Sequence, residues 1–473
     1  MSSPAVSQGL QTAPTAHQTT FQHIKAARPT QQRRGMRLQA LAPLAAAAGA
    51  VPASVGVAAA AAAAAVAATL ALRKLELRPN VQGQSTSWNS AILSLCPTLT
   101  APYRLAAGLN NGHVETIFAA WFRRKPHVMY EREVVHMPDG GCVALDTEEA
   151  PPGKQLPEDA PVLILLPGLT GGSEDSYVQH AVVHAREAGI RAVVFNSRGT
   201  SGSPVQTAQF YSASFTEDMR NVVAHVRNRY PRSLLFAAGW SLGANIMTRY
   251  LGEEQERTPI SAAVAMCNPF NLPLSDANFH KGFNKIYDWN LARSLNSIYK
   301  QHHHLFEKEA ATPQGRPYRA DLALNAKTIR DFDDAITRVA FGWPSVDAYY
   351  AGSSSSLSIP DVRIPLLIIQ AEDDPIAPKE AIPFEAIQAN PNCLLVLTPT
   401  GGHLGWCGGP DGATGAPWTD AAVAEYFTAA RQLLGQPEFA AAAAAARARQ
   451  PLGAPAEPVG VWTQGQTTRH QAP

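Results

Sequence analysis

The segment Gly239-Trp240-Ser241-Leu242-Gly243 places a serine between glycines at i−2 and i+2. An apolar run precedes it and a helical pattern follows, the setting of a nucleophile elbow. The turn there is too tight for bulk at the flanking positions. The serine is held in a strained backbone conformation that lifts its hydroxyl above the sheet, near the positive end of the next helix. Serine at its own pKa is a poor nucleophile and needs an adjacent base. In sites of this kind the chain order is serine, then a carboxylate, then histidine. C-terminal to Ser241 stand His280, His302, His303, His304, His403 and His470. The first four fall in a helical stretch, and His470 falls in an Ala-, Pro- and Gln-rich tail. His403 follows a strand-like run through Pro399-Thr400-Gly401-Gly402, a loop able to carry an imidazole over the sheet edge. It is the expected general base.

The acid should follow the preceding strand-like run, where Ala371-Glu372-Asp373-Asp374-Pro375 offers three carboxylates. Asp374 is preferred over Asp373 because it directly precedes a proline-stiffened turn that can fix its side chain toward His403. Its role would be to hold the His403 tautomer and stabilise the imidazolium. An oxyanion hole needs two N–H donors. One is expected from Leu242, the residue after the nucleophile. The other is expected from Leu169, in the loop Pro167-Gly168-Leu169-Thr170-Gly171-Gly172-Ser173. That loop lacks the Lys-Ser/Thr ending of a phosphate-binding loop, so no nucleotide is expected. No cofactor or metal is expected either. Cys96, Cys142, Cys267, Cys393 and Cys407 form no C-x-x-C pair, and three consecutive histidines at 302–304 point in different directions on a helix.

Eight strand-like runs must position these groups: residues 132–136, 143–147, 162–166, 191–196, 234–238, 262–266, 366–370 and 394–398. Several are continuously apolar, as in strands buried on both faces. Helical patterns at 177–188, 216–230, 244–251, 379–388 and 421–434 fall between most of them, and Pro138-Asp139-Gly140-Gly141 joins the first two as a hairpin. The alternation predicts a mostly parallel sheet with helices on both faces. Residues 268–360 contain no convincing strand. They read as a helical insert whose apolar stripes serve packing more than ligand contact.

Seven of the 39 basic residues lie in the first 75 positions and none of the 38 acidic ones does, so the rest of the 473-residue chain is acidic by six. Such a body makes nucleic acid an unfavourable partner. Residues 1–80 read as a basic leader with an Ala-rich stretch at 53–72, a candidate transit peptide or membrane segment. Residues 95–436 read as the globular domain, and 437–473 as a disordered tail.

The motifs together resemble the α/β-hydrolase branch, the AB hydrolase 4 family, that holds the bacterial YheT-type proteins, the plant embryogenesis-associated hydrolase-like proteins and the animal membrane-anchored ABHD lipases. They include Asn111-Gly112-His113-Val114-Glu115-Thr116-Ile117, Met137-Pro138-Asp139-Gly140-Gly141, Phe195-Asn196-Ser197-Arg198-Gly199, Asp373-Asp374-Pro375 and Gly401-Gly402-His403-Leu404-Gly405-Trp406. The resemblance implies an eight-stranded α/β-hydrolase core with a helical lid insertion over residues 268–360. It also implies a triad of Ser241, Asp374 and His403. The substrates it implies are acyl esters or lipids such as acylglycerols and phospholipids, with acyl transfer to an alcohol as an alternative. A non-catalytic binding protein of retained fold is the other alternative. Membrane association is expected, in the chloroplast or another organelle if the leader directs it. His113 carries no chemistry and is expected to be structural.

Overall fold

The strand β6 (Val162–Leu166) shows why the sheet is buried on both faces. Its residues Leu163 and Leu165 pack with Val178 and Val182 of the helix Ser176–Glu187 and with Phe427 of the helix Trp418–Leu434. The alternate residues Val162, Ile164 and Leu166 point the other way, against Val222 and Val226 of the helix Glu217–Arg229 and Met247 of the helix Leu242–Glu254. A period of two thus feeds two apolar cores, which is why the run is continuously apolar.

The computed structural model describes residues 76–441, apart from 107, 149–152, 154 and 410. Nine strands form the main sheet, in the order β2-β11-β10-β9-β8-β6-β7-β5-β4. In chain order these are β2 (Asn80–Gly83), β4 (Tyr130–His136), β5 (Cys142–Glu148), β6, β7 (Arg191–Asn196), β8 (Leu235–Trp240), β9 (Ile260–Met266), β10 (Leu366–Ala371) and β11 (Cys393–Thr398). A separate two-stranded ribbon pairs β1 (Glu76–Leu77) with β3 (Tyr103–Arg104). The six strands from β7 to β11 in the sheet order run parallel, whereas β5 joins β7, and β4 joins β5, antiparallel. This is the α/β-hydrolase fold.

All eight expected strands are present, each within two residues of its expected ends. The expected count of eight is corrected to nine, because β2 adds antiparallel to the outer edge of β11. A four-residue polar strand, Asn-Val-Gln-Gly, has no apolar run to announce it. Its pairing covers an edge that would otherwise be open. The folded body therefore begins before residue 95. At its other end it extends past 436, where Phe439 meets the Trp88 ring at 5.6 Å.

The segment between β9 and β10 is helical, as expected, with its longest helix at Asn284–Glu309 and others at Leu272–Phe279 and Val346–Ser353. It has its own small core, in which Leu295, Tyr299, Phe306, Phe332 and Ile336 pack with Phe210 of the body. The Ala-rich stretch 53–72 lies outside the described residues. Among those residues, no helix is long and apolar enough to cross a membrane.

Candidate active site

β8 runs straight into Ser241, whose backbone sits at φ 52° and ψ −121°. A positive φ on a non-glycine residue costs about 1–3 kcal/mol and persists only where the surroundings impose it. Here the Ser241 N–H donates to the Met266 carbonyl at 2.9 Å, and the Ser241 carbonyl accepts from Asn245 at 3.0 Å. The two flanking glycines are compulsory for lack of space. A Cβ on Gly243 would lie 2.1 Å from the Leu166 carbonyl oxygen, and one on Gly239 would lie 2.8 Å from the Ala244 backbone. Asn245 fastens the elbow helix to the insert, donating to the carbonyls of Ala213 and Ser353 and accepting from the Ser355 N–H.

The loop after β6 passes close to this serine. Within it the N–H groups of Gly168 and Thr170 are taken by the hydroxyls of Tyr177 (3.1 Å) and Tyr211 (2.9 Å). Those of Gly171, Gly172 and Ser173 go to the Gly168 carbonyl, Asp175 and Asn196. Among the described residues, the Leu169 N–H between them has no partner. Ser173 and Asn196 are in turn tied to the buried Asp146 carboxylate, which rigidifies the loop.

His403 is buried, and its Nδ1 lies 2.8 and 3.0 Å from the two carboxylate oxygens of Asp374. Asp374 Oδ1 also accepts from the N–H groups of Ile376 and Ala377, each at 2.8 Å. Three donors thus converge on one buried carboxylate. Asp373 takes a different part. Its Oδ1 accepts from the Gly402 N–H at 3.0 Å, so it shapes the loop that carries the histidine, and burial pushes its carboxyl above the usual range. Glu372 pairs with Lys379 at the surface.

Ser241, Leu242, Leu169 and His403 all line a cavity of about 790 Å³, and Asp374 stands behind His403. The insert walls the cavity with Leu291, Leu295, Ile298, Ile329 and Phe332. The stripes expected mainly to serve packing therefore also line the cavity.

Several residues at the site gave no sequence signal. Cys267, at the end of β9 with φ 49°, accepts from the Leu404 N–H at 3.2 Å and lies against Asp374 and His403. Burial pushes its thiol well above the usual range, and the Asp374 charge adds to this. Glu115 and Thr116, on the helix Gly112–Phe122, and Arg123, the residue after it, all touch the His403 loop. The signal that could have found Glu115 and Thr116 was the 111–117 motif that carries the resemblance. His113, expected to be structural, sets Nδ1 3.1 Å from the Tyr287 hydroxyl of the insert.

A strained serine and a buried, carboxylate-paired histidine line one cavity, as in a serine hydrolase on an α/β-hydrolase scaffold. Residues 161–410 match the family model described as the alpha/beta hydrolase fold, and the chain belongs to that family. It is an enzyme of the esterase–lipase kind. It is 53% identical over 343 residues to the embryogenesis-associated protein EMB8 of Picea glauca, covering 71% of this chain and 74% of that one. It is 33% identical over 341 residues to the phospholipase ABHD3 of Homo sapiens, covering 72% and 81%. To the monoacylglycerol lipase of Saccharomyces cerevisiae it is 33% identical over 340 residues, covering 63% and 74%.

Proposed function

We propose that the protein hydrolyses carboxylic esters of long-chain acids, of the glycerolipid class, through an acyl-enzyme on Ser241. The observation that carries this reading is the cavity: it joins Ser241 and His403 to an apolar chamber walled by the insert. Such a wall suits an acyl chain better than a polar metabolite. The printed activities of the relatives, phospholipase and monoacylglycerol lipase, support the same substrate class.

In this mechanism His403 Nε2 takes the Ser241 proton as Oγ bonds to the ester carbonyl carbon. The oxyanion meets the N–H groups of Leu242 and Leu169, and Asp374 stabilises the imidazolium. The imidazolium then returns its proton to the departing alcohol as the ester C–O bond breaks. Water, deprotonated by His403, attacks the acyl-serine and releases the acid. The insert 268–360 acts as the lid, and the basic leader of residues 1–80 as a targeting or anchoring segment that brings the enzyme to a membrane.

The test is labelling with a fluorophosphonate probe. The native chain should label and Ser241→Ala should not. Labelling that survives the substitution would sink the assignment. A chain-length series of p-nitrophenyl esters should show a preference for longer acyl groups.

A further inference from the structure

Large apolar side chains left in water are ordinarily scattered. Here several of them belong to two helices that border one cavity. On the helix Gly112–Phe122, Trp121 is 80% and Phe122 57% exposed; on the insert's helix Asn284–Glu309, Ile286 is 51% and Trp289 49% exposed. The two helices touch at the start of the first, where the His113 ring lies 5.2 Å from Phe283 and 5.8 Å from Tyr287, whereas Trp121 and Phe122 end that helix. Trp121, Ile286 and Trp289 also line the cavity that reaches Ser241. The exposed side chains therefore form a collar around its mouth.

Packing does not account for the collar. The long helix turns Asn284, Asp288, Ala292 and Leu295 inward, and the stripe Phe283, Ile286 and Trp289 faces out. Charge follows the same division. Across residues 113–125 and 281–293 the exposed charges are Arg124, Lys125, Lys281, Lys285 and Arg293, all cationic, whereas Glu115 and Asp288 are buried. The Arg293 guanidinium lies over the Trp289 ring at 4.8 Å. This cationic collar sits on a chain that is otherwise acidic after residue 75.

We propose that the collar docks the cavity mouth onto an anionic lipid surface, with Trp121 and Trp289 at the boundary between headgroups and acyl chains. Tryptophan prefers that boundary, and Lys and Arg beside it are drawn to anionic headgroups. A second copy of the chain is a poor occupant, since a twofold contact would press the same cations together. Docked this way, the mouth lets an ester pass from the leaflet to Ser241 without crossing water. That last step rests on the ester-hydrolase reading, whereas the docking itself requires no catalysis.

All five native cysteines are buried, so a cysteine introduced at the surface can carry an environment-sensitive fluorophore. The full-length Ser241→Ala protein bearing Trp121→Cys, Trp289→Cys or the control Glu158→Cys is labelled and mixed with vesicles of phosphatidylcholine and phosphatidylserine in equal parts. Glu158 is exposed on the loop before β6, at the end of the strand away from Ser241. Labels at 121 and 289 should shift to the blue, the label at 158 should not, and pure phosphatidylcholine should give a smaller shift. The proposal is overturned by labels at 121 and 289 that stay in water, by an equal shift at 158, or by a blue shift without vesicles, which would mean that another part of the chain or a second copy covers the collar. Lys281→Glu with Lys285→Glu, outside the cavity lining, should lower hydrolysis of vesicle-borne ester about tenfold while a soluble short-chain ester is turned over as before. An unchanged rate on vesicles also counts against docking. If the native enzyme cleaves no ester, the ester reading fails while the fluorophore shifts still decide the docking.

Discussion

The backbone N–H of His403 donates to the Thr116 hydroxyl at 2.8 Å, and that hydroxyl donates to the Gly112 carbonyl at 2.6 Å. The loop carrying His403 is thus fastened to a helix far earlier in the chain. Glu115 accepts from the Cys407 N–H at 2.6 Å, and Arg123 donates to the Leu404 carbonyl at 2.9 Å. The packing leaves no slack, since a Cβ on Gly402 would lie 2.5 Å from both the Gly112 carbonyl oxygen and the Thr116 hydroxyl. The motif at 111–117 therefore holds the His403 loop in place.

Thr116→Val keeps the volume and removes the acceptor. The buried His403 N–H is then left unpaired, at a cost of about 1–3 kcal/mol in stability. A loosened imidazole should lower kcat about tenfold, with KM nearly unchanged. Thr116→Ser should restore most of both. Steady-state kinetics on a soluble ester, together with urea unfolding, measure the two effects. Equal kcat in Thr116→Val and the native enzyme would remove Thr116 from the positioning of His403.

The neighbouring carboxylates should separate cleanly. Asp374→Asn places an amide beside His403 Nδ1 and favours the wrong tautomer, so kcat should fall by about 10⁴ with the fold intact. Asp373→Asn keeps an oxygen for the Gly402 N–H, so its kcat should fall far less. Fluorophosphonate labelling rates should rank native, Asp373→Asn, then Asp374→Asn. The reverse order would transfer the acid role to Asp373.

The elements legible in the sequence are those whose physics is local. Most of the eight expected strands are short apolar runs buried on both faces, the polar β4 excepted, and the expectations for Ser241, His403 and Asp374 rest on the elbow, the chain order and the proline after Asp374. Leu169 was expected as an oxyanion donor, and the structure places it in the lining of the same cavity as Ser241. What escaped depends on tertiary contact. β2 is a four-residue polar strand that exists only because β11 offers it an edge. Cys267 reads as one more apolar residue at a strand end, and nothing nearby in sequence shows that it lies against Asp374. The outward stripe of Phe283, Ile286 and Trp289 cannot be told from a buried one until the helix is placed.

Gly243 offers a test of the elbow that is independent of catalysis. Gly243→Ala puts a methyl 2.1 Å from the Leu166 carbonyl oxygen and 2.4 Å from that of Pro167, both backbone atoms that cannot swing aside. The elbow helix must then move off β6, which also displaces the Leu242 N–H. The variant should lose several kcal/mol of stability, on the order of a severe overpacking mutation. It should fail to label with the probe at temperatures where the native enzyme labels fully. A thermal melt within a degree or two of native would show that the turn tolerates a side chain there.

Asp333 provides a pH test. It is buried in the insert beside the cavity and accepts from the Tyr350 hydroxyl at 2.9 Å. Burial pushes its carboxyl up to about 7, with the Asp276 and Asp288 charges acting in the same direction. The folded state thus holds this proton more tightly than the unfolded chain, whose carboxyl ionises in the usual range. The contribution to stability is complete below that range and is lost progressively as pH rises to about 7, after which the loss levels off. The melting temperature should therefore fall from about pH 5 to about pH 8. Asp333→Asn keeps the acceptor for Tyr350 without a charge and should remove part of that fall. Only part is expected, because burial also pushes Glu115 to about 8 and Asp420 to about 7. Parallel melts of native and Asp333→Asn protein across this range decide the matter: identical slopes would mean that Asp333 ionises as an ordinary carboxylate.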